Sequence, residues 1–384
     1  MSSPMDVERS RQSGRGRNAQ SPSEVPLAGW KDVLWRLYGE VSDDRVMLVA
    51  AGVTYYILLA FVPGLTAFIS VYGLVLDPGT VSEHVSMLQG IVPGGGMEII
   101  EEQLQRLVSQ GDSSLSFALI ISVGIALWSA NAGMKALFEA MNVAYDEREE
   151  RSFIRLTAIT LCFTLGAIVT IGVMLAVVIV LPAALQFVGL GEGTEWLIRI
   201  VSYLLLFCLL SLGIAALYRW GPNRRDAQWR WITPGSLLSL IGTLIISILF
   251  TWYTANFGSY DATYGSLGAI VGFMTWMWIS LILLILGGEL NSELEHQTSA
   301  DTTVGGDQPM GERGARMADT VGKAYGETGL GTLPGQEKTQ PAPTSGRGND
   351  YRIGRAEKIS IGTLAVTVPA ALLLSWMQRR SARR

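Results

Sequence analysis

Histidine and cysteine are nearly missing from this chain, with two of each among 384 residues. His84 and His296 lie far apart, and Cys162 and Cys208 each sit inside an apolar stretch. That count and spacing exclude a zinc-type Cys/His cluster. Both cysteines are expected to be small buried hydrophobes. Charge is scarce too. Asp, Glu, Lys and Arg make up 16% of the residues, against roughly 25% in soluble domains. A net charge of −4 leaves no basic footprint for nucleic acid. No P-loop pattern occurs, so any drive by ATP would need a partner. Residues 1–29 hold no short apolar stretch of the signal-peptide kind, so the first apolar run is expected to act as an uncleaved signal-anchor.

What the chain has instead is long apolar runs, at 46–76, 114–133, 156–187, 197–218, 233–254 and 265–288, free of charge except for Arg199 near the edge of the fourth. A hydrocarbon core about 30 Å thick takes about 20 apolar helical residues to cross. Each run reaches that length. The fold class is therefore an all-α polytopic membrane protein with a six-helix transmembrane core over 30–296.

The loops orient it. Lys31, Arg36 and Arg45 precede the first run, behind Arg9, Arg11, Arg15 and Arg17. Lys135, Arg148, Arg151 and Arg155 follow the second run, and Arg219, Arg224, Arg225 and Arg230 follow the fourth. The intervening loops carry Arg106 alone. Lys and Arg in short loops stay in the cytoplasm. The N-terminus and the exit of the sixth run are thus expected there. Residues 1–29 and 297–357 are polar and rich in Gly, Ser, Thr and Pro, and are read as disordered cytoplasmic segments. A further apolar run at 359–377, within a 358–384 segment that ends in a basic tail, is read as a seventh transmembrane helix. A hairpin or surface-lying tail is the alternative.

Several positions stand out inside this frame. Pro63, with Gly64, interrupts the first run, and proline removes a donor and bends a helix. Tyr55 and Tyr56, two turns earlier, offer hydroxyls to a cavity beside such a kink. Gly235, Ser239, Thr243 and Ser247 form a small-residue stripe, read as a helix seam with a pathway lining as the alternative. No run carries a charge at its centre, where one costs about 2.5–3.5 kcal/mol. Asn131 and Glu289 approach inner ends, and Tyr260, Asp261 and Tyr264 sit in an outer turn. In the outer loop, Met97, Ile100, Leu104, Leu107 and Val108 recur at helical spacing and predict a short amphipathic helix.

Six segments carry a resemblance when taken in order. They are AAGVTYYILLAFVPGL (50–65), WSANAGMKALFEAMNVAYDE (128–147), GPN (221–223), WITPGSLL (231–238), YDATYGSLGAIV (260–271) and GGELNSELE (287–295). Together the chain resembles the YihY/virulence factor BrkB family of bacterial inner-membrane proteins over 30–296. Family members more often have Ser-Arg or Ser-Lys where this chain has Ala130-Asn131, which detaches that spot from a charge-dependent role. The resemblance implies a multi-pass protein of the bacterial plasma membrane. It also brings an old ribonuclease BN label. Metal-dependent hydrolysis needs clustered carboxylates or histidines, and the two histidines are expected on opposite sides of the membrane. No catalytic, cofactor or metal site is expected.

Two functions are weighed. The first is a transporter or lipid-handling permease of the envelope, with Glu289, Asn291 and Glu293 as an inner gate and Tyr260, Asp261 and Tyr264 as an outer one. The second is a non-transporting scaffold in envelope assembly or virulence, such as serum resistance, with the same residues fixing helix ends. Partners are membrane lipids and either a second copy of the chain or an envelope protein, not nucleic acid.

Overall fold

The computed structural model describes residues 4–73, 117–188, 192–257 and 268–327, together with Met97, Ile100 and Glu101 of the outer loop, which are helical. The expected outer helix otherwise lies outside the described residues. So do Tyr260, Asp261 and Tyr264 and the run at 359–377, which falls in a separate unit, Lys338–Arg384. Among the described residues every extended element is helical, and the strand-type pairing is one isolated bridge, Ala227 to Thr303.

The helices are α1 (Pro4–Ser10), α2 (Leu27–Asp43), α3 (Val46–Gly73), α4 (Phe117–Ala144), α5 (Phe153–Val188), α6 (Glu192–Trp220), α7 (Trp229–Phe257), α8 (Gly268–Glu295) and α9 (Arg316–Asp319). Helices α3 to α8 have 28 to 36 residues each and carry the described parts of the six apolar runs. Backbone donors and acceptors must be satisfied within a segment that crosses lipid, which is why such runs are helical. Four of them, α5 to α8, hold spans long and apolar enough to cross a bilayer, or five if the bent pair α2–α3 counts as one. The chain is an all-α polytopic membrane protein.

Each of these helices packs on the next in the chain, and α8 closes the ring on α3 while also touching α4 and α2. The buried core gathers at one end of this ring. It joins Val46, Ala50 and Val53 of α3 to Phe138 and Met141 of α4, Tyr218 of α6 and Ile285 of α8. Burial is uneven around it. The spans of α5 and α6 are each 11% buried, against 28% for α7 and 33% for α8. Helices α5 and α6 are thus the least covered of these four spans.

Helix α3 continues through Pro63 to Gly73. Ahead of it the chain turns by 59° between α2 and α3, at Arg45, whose φ of 51° is left-handed. A residue in that conformation ends a helix by breaking its ladder. Helix α2 then lies across the end of the bundle. It buries Val33 and Leu37 against Trp231, Leu290 and Leu294.

The two polar segments read as disordered are corrected by the structure, as far as it describes them. Residues 4–26 and 296–327 pack together over the same end of the bundle. Arg17, 2% exposed, donates to the Gln297 and Gly322 carbonyls at 3.3 and 2.8 Å and to Gln12 Oε1 at 2.9 Å. Arg15 pairs with buried Asp32 at 2.6 Å, and Arg9 with Glu327 at 2.9 Å. Arg313 donates to the Ser299, Ala300 and Ala318 carbonyls. Composition misleads here because these segments form no apolar core of their own. Buried arginines gather their carbonyls instead, and hydrogen bonding substitutes for apolar burial.

Candidate functional site

The capped end brings the sequence motifs together. Pro234 sits near the start of α7 and interrupts its ladder. Asn291 of α8 reaches the backbone on both sides of it. Its Oδ1 accepts from the Gly235 N–H at 2.7 Å, and its Nδ2 donates to the Ile232 carbonyl at 3.1 Å. Such a clamp needs the helices to touch. A Cβ on Gly235 would collide with the Gly287 carbonyl oxygen, and one on Gly287 with Ser239 Oγ. The seam continues through Ser239, which donates to the Leu283 carbonyl at 2.9 Å, and Tyr218, whose hydroxyl meets Ser239 Oγ and the Leu284 carbonyl at 2.6 Å each. Further along, Trp276 Nε1 donates to Ser247 Oγ at 3.0 Å. The small-residue stripe is therefore a seam, as expected.

Charged motif residues tie this seam to the cap. Glu293 pairs with Arg36 of α2, which also donates to the Lys323 carbonyl at 2.8 Å. Arg224 meets Glu295 at 2.6 Å, with both side chains buried, and its guanidinium lies 5.0 Å from the centre of the Tyr145 ring. Burial works against the Arg224 charge, but Glu295 outweighs it and the pKa is raised. Burial pushes the Tyr145 phenol well above its ordinary value. Burial, with Arg36 nearby, lowers Arg17 to about 10. In the GPN turn, the Asn223 N–H donates to Asn142 Oδ1 at 2.7 Å, and its side chain donates to the Arg148 carbonyl. The four basic segments expected on one side thus do meet at one end of the bundle.

The candidate polar residues separate into distinct environments. Asn291 and Glu293 hold helix ends rather than line an opening. Glu289 is fully buried beside them, and no donor among the described residues bonds its oxygens. The charges acting on it most strongly are the carboxylates of Asp44, Glu40 and Glu293. Asn131, also buried, accepts from the Thr164 hydroxyl at 3.5 Å within the α4–α5 seam. Tyr55 and Tyr56 are about half exposed and stack edge-to-face on one another. They face outward, and Tyr56 lines a shallow cleft of about 440 Å³ between α3 and α4. Pro63 is partly buried within α3.

Sequence reasoning missed an apolar opening. A groove of about 590 Å³ runs between α5 and α6, floored by Met134 and Leu137 of α4 and Leu284 of α8. Its walls are apolar, with Thr170 the one hydroxyl. Gly166 and Gly213 lie in facing walls, and a Cβ on either would meet nothing within 4 Å. These glycines leave space open, unlike Gly235 and Gly287, which allow contact. Cys162 lines the same groove, and both cysteines are exposed rather than buried. A lone sequence cannot tell a seam glycine from a groove glycine, because the difference lies in the facing helix. Among the described residues no group of three His, Cys, Asp or Glu side chains is placed to hold a metal ion.

A family model described as virulence factor BrkB matches residues 37–310. The chain is 32% identical over 254 residues to the ribonuclease-like protein YfkH of Bacillus subtilis, covering 64% of this chain and 88% of that one. It is 24% identical over 262 residues to a UPF0761 membrane protein of Methylibium petroleiphilum, covering 67% of this chain and 61% of that one. A UPF0761 membrane protein of Mannheimia succiniciproducens is 21% identical over 259 residues, covering 67% and 87%. No solved structure matches. The matched region takes in the seam, the clamp at Asn291 and the start of the segment that packs beneath them, and the chain belongs to the virulence factor BrkB family of membrane proteins.

Proposed function

We propose that this protein is a lipid-handling permease of the bacterial plasma membrane, with its capped end in the cytoplasm. The observation that carries the reading is the lateral groove between α5 and α6. It is apolar and lies between the two least buried of the four candidate spans. Charged solutes find no partners there, whereas a hydrocarbon chain does. The loop charges support the orientation, since the four basic segments converge at the capped end. No ribonuclease role is carried over from the name of the Bacillus relative.

A scaffold function is the second reading, favoured by Asn291, Glu293 and Glu295 serving to fasten helices and cap. The two readings part in reconstituted liposomes. Fluorescent phospholipid placed in the inner leaflet is expected to become accessible to dithionite faster with the protein than without it. Replacing both Gly166 and Gly213 with Leu should abolish the acceleration. Equal rates with and without protein would remove the permease reading and leave the scaffold.

A further inference from the structure

The groove has one rim of a different character. Helical spacing places Arg155 on the same face of α5 as Cys162, seven residues and about 10 Å toward the capped end. Arg155 is exposed and makes no ion pair among the described residues. On α6, Trp220 continues the Gly213 face by the same seven-residue step. Its ring centre lies 6.4 Å from that of Phe163, a groove residue, which joins rim to lining. Lys135 adds a second cation near the start of α5. Its Nζ donates to Thr157 Oγ1 at 3.0 Å and stands 4.7 Å from the centre of the Phe153 ring. Glu149 is engaged by Arg151 and Asp226 by Trp220 and Arg219, while Glu139 and Glu150 are exposed.

We propose that the α5–α6 groove holds one acyl chain of an anionic phospholipid whose headgroup lies at Arg155. This names the substrate class for the site on which the permease reading rests. The lining favours hydrocarbon over water, because a water needs two to four polar partners and Thr170 alone is on offer. The open Cβ positions at Gly166 and Gly213 make the volume real space within the helix pair. The rim supplies positive charge without a paired carboxylate at Arg155, and an indole at interface depth, the arrangement that suits a charged headgroup above a buried chain.

The test uses the full chain in phosphatidylcholine liposomes, with trace phosphatidylglycerol or phosphatidylcholine carrying a photoactivatable acyl chain. Peptide mass spectrometry maps the labelled residues. Phosphatidylglycerol is expected to label residues 162–171 and 209–217 about fivefold more than phosphatidylcholine, the ratio one basic contact supplies. The double variant Gly166→Leu, Gly213→Leu should lose this labelling. Arg155→Glu, an exposed change that leaves the packing intact, should erase the preference and keep the residual labelling. Labelling spread evenly over the bundle, or unchanged by the double leucine variant, overturns the site. A preference that survives Arg155→Glu overturns the headgroup assignment. Groove labelling without translocation would sink the permease reading alone, and translocation without groove labelling would sink this one alone.

Discussion

Two glycine-to-alanine changes, alike in sequence, should differ sharply in effect. At Gly235 the new methyl would collide with the Gly287 carbonyl oxygen and stand 2.5 Å from Asn291 Nδ2, where ordinary contact begins at 3.4 Å. The obstacle is backbone, so α7 and α8 must move apart by on the order of 1 Å. Overpacking of this kind costs about 1–3 kcal/mol. Separation also weakens the bonds from Gly235 to Asn291, Ser239 to Leu283 and Tyr218 to Ser239, at about 0.6 kcal/mol each in membranes. The total is about 3–5 kcal/mol. At Gly213 the methyl meets nothing within 4 Å, and alanine is the better helix former by up to about 1 kcal/mol. At roughly 2–4 °C per kcal/mol, the two variants should melt about 10 °C apart. Heating in detergent followed by size-exclusion chromatography reads this directly. If the two melted within about 2 °C of each other, the distinction between seam and groove would be wrong.

Three further outcomes follow from the capped end. Glu289→Gln keeps the shape and removes a carboxylate from among Asp44, Glu40 and Glu293. It should leave the melting temperature unchanged or raise it, and a fall of several degrees would show that the contact between Glu289 and Asp44 is a favourable hydrogen bond rather than a repulsion. Arg36→Met leaves buried Glu293 with His296, at 3.7 Å, as its one remaining basic neighbour among the described residues and should cost about 3 kcal/mol. Adding Glu293→Gln should recover much of that loss, and a double variant no better than the single would deny the pairing. The cap should also loosen in acid. Burial raises the pKa values of Glu149, Asp301 and Glu327, but hydrogen bonds from Arg151, from Thr303 and from the Ala324 backbone N–H, respectively, prevail and lower them. Depressed carboxylates stabilise above their ordinary pKa values and lose that contribution as pH falls through the folded ones. Limited proteolysis of residues 296–327 should therefore quicken below about pH 4 and stay slow from pH 5 to 7, while rates independent of pH would contradict it.

Much of the bundle was legible in the sequence because its causes are local. Apolar run length dictates helices in lipid, and the alternation of Lys and Arg foretold which segments meet at one end. The stripe from Gly235 to Ser247 was readable as a seam, since small residues at four-residue spacing leave a groove along a helix. Asn291 and Glu293 were singled out by being polar at the end of an apolar run. Their partners were not readable, because Ile232, Gly235 and Arg36 lie 56 to 257 positions away.

By itself, then, the sequence determined the helices, their shared polar end and the membership of a membrane-protein family. Each depends on a property carried along one stretch of chain. Tertiary structure alone decided three things. It turned two polar segments into a cap held by buried arginines, and it set a sharp turn at Arg45 ahead of the first apolar run. It also divided the glycines into those that admit another helix and those that leave a groove. These depend on what stands opposite a residue, and a linear pattern of residues holds no record of that.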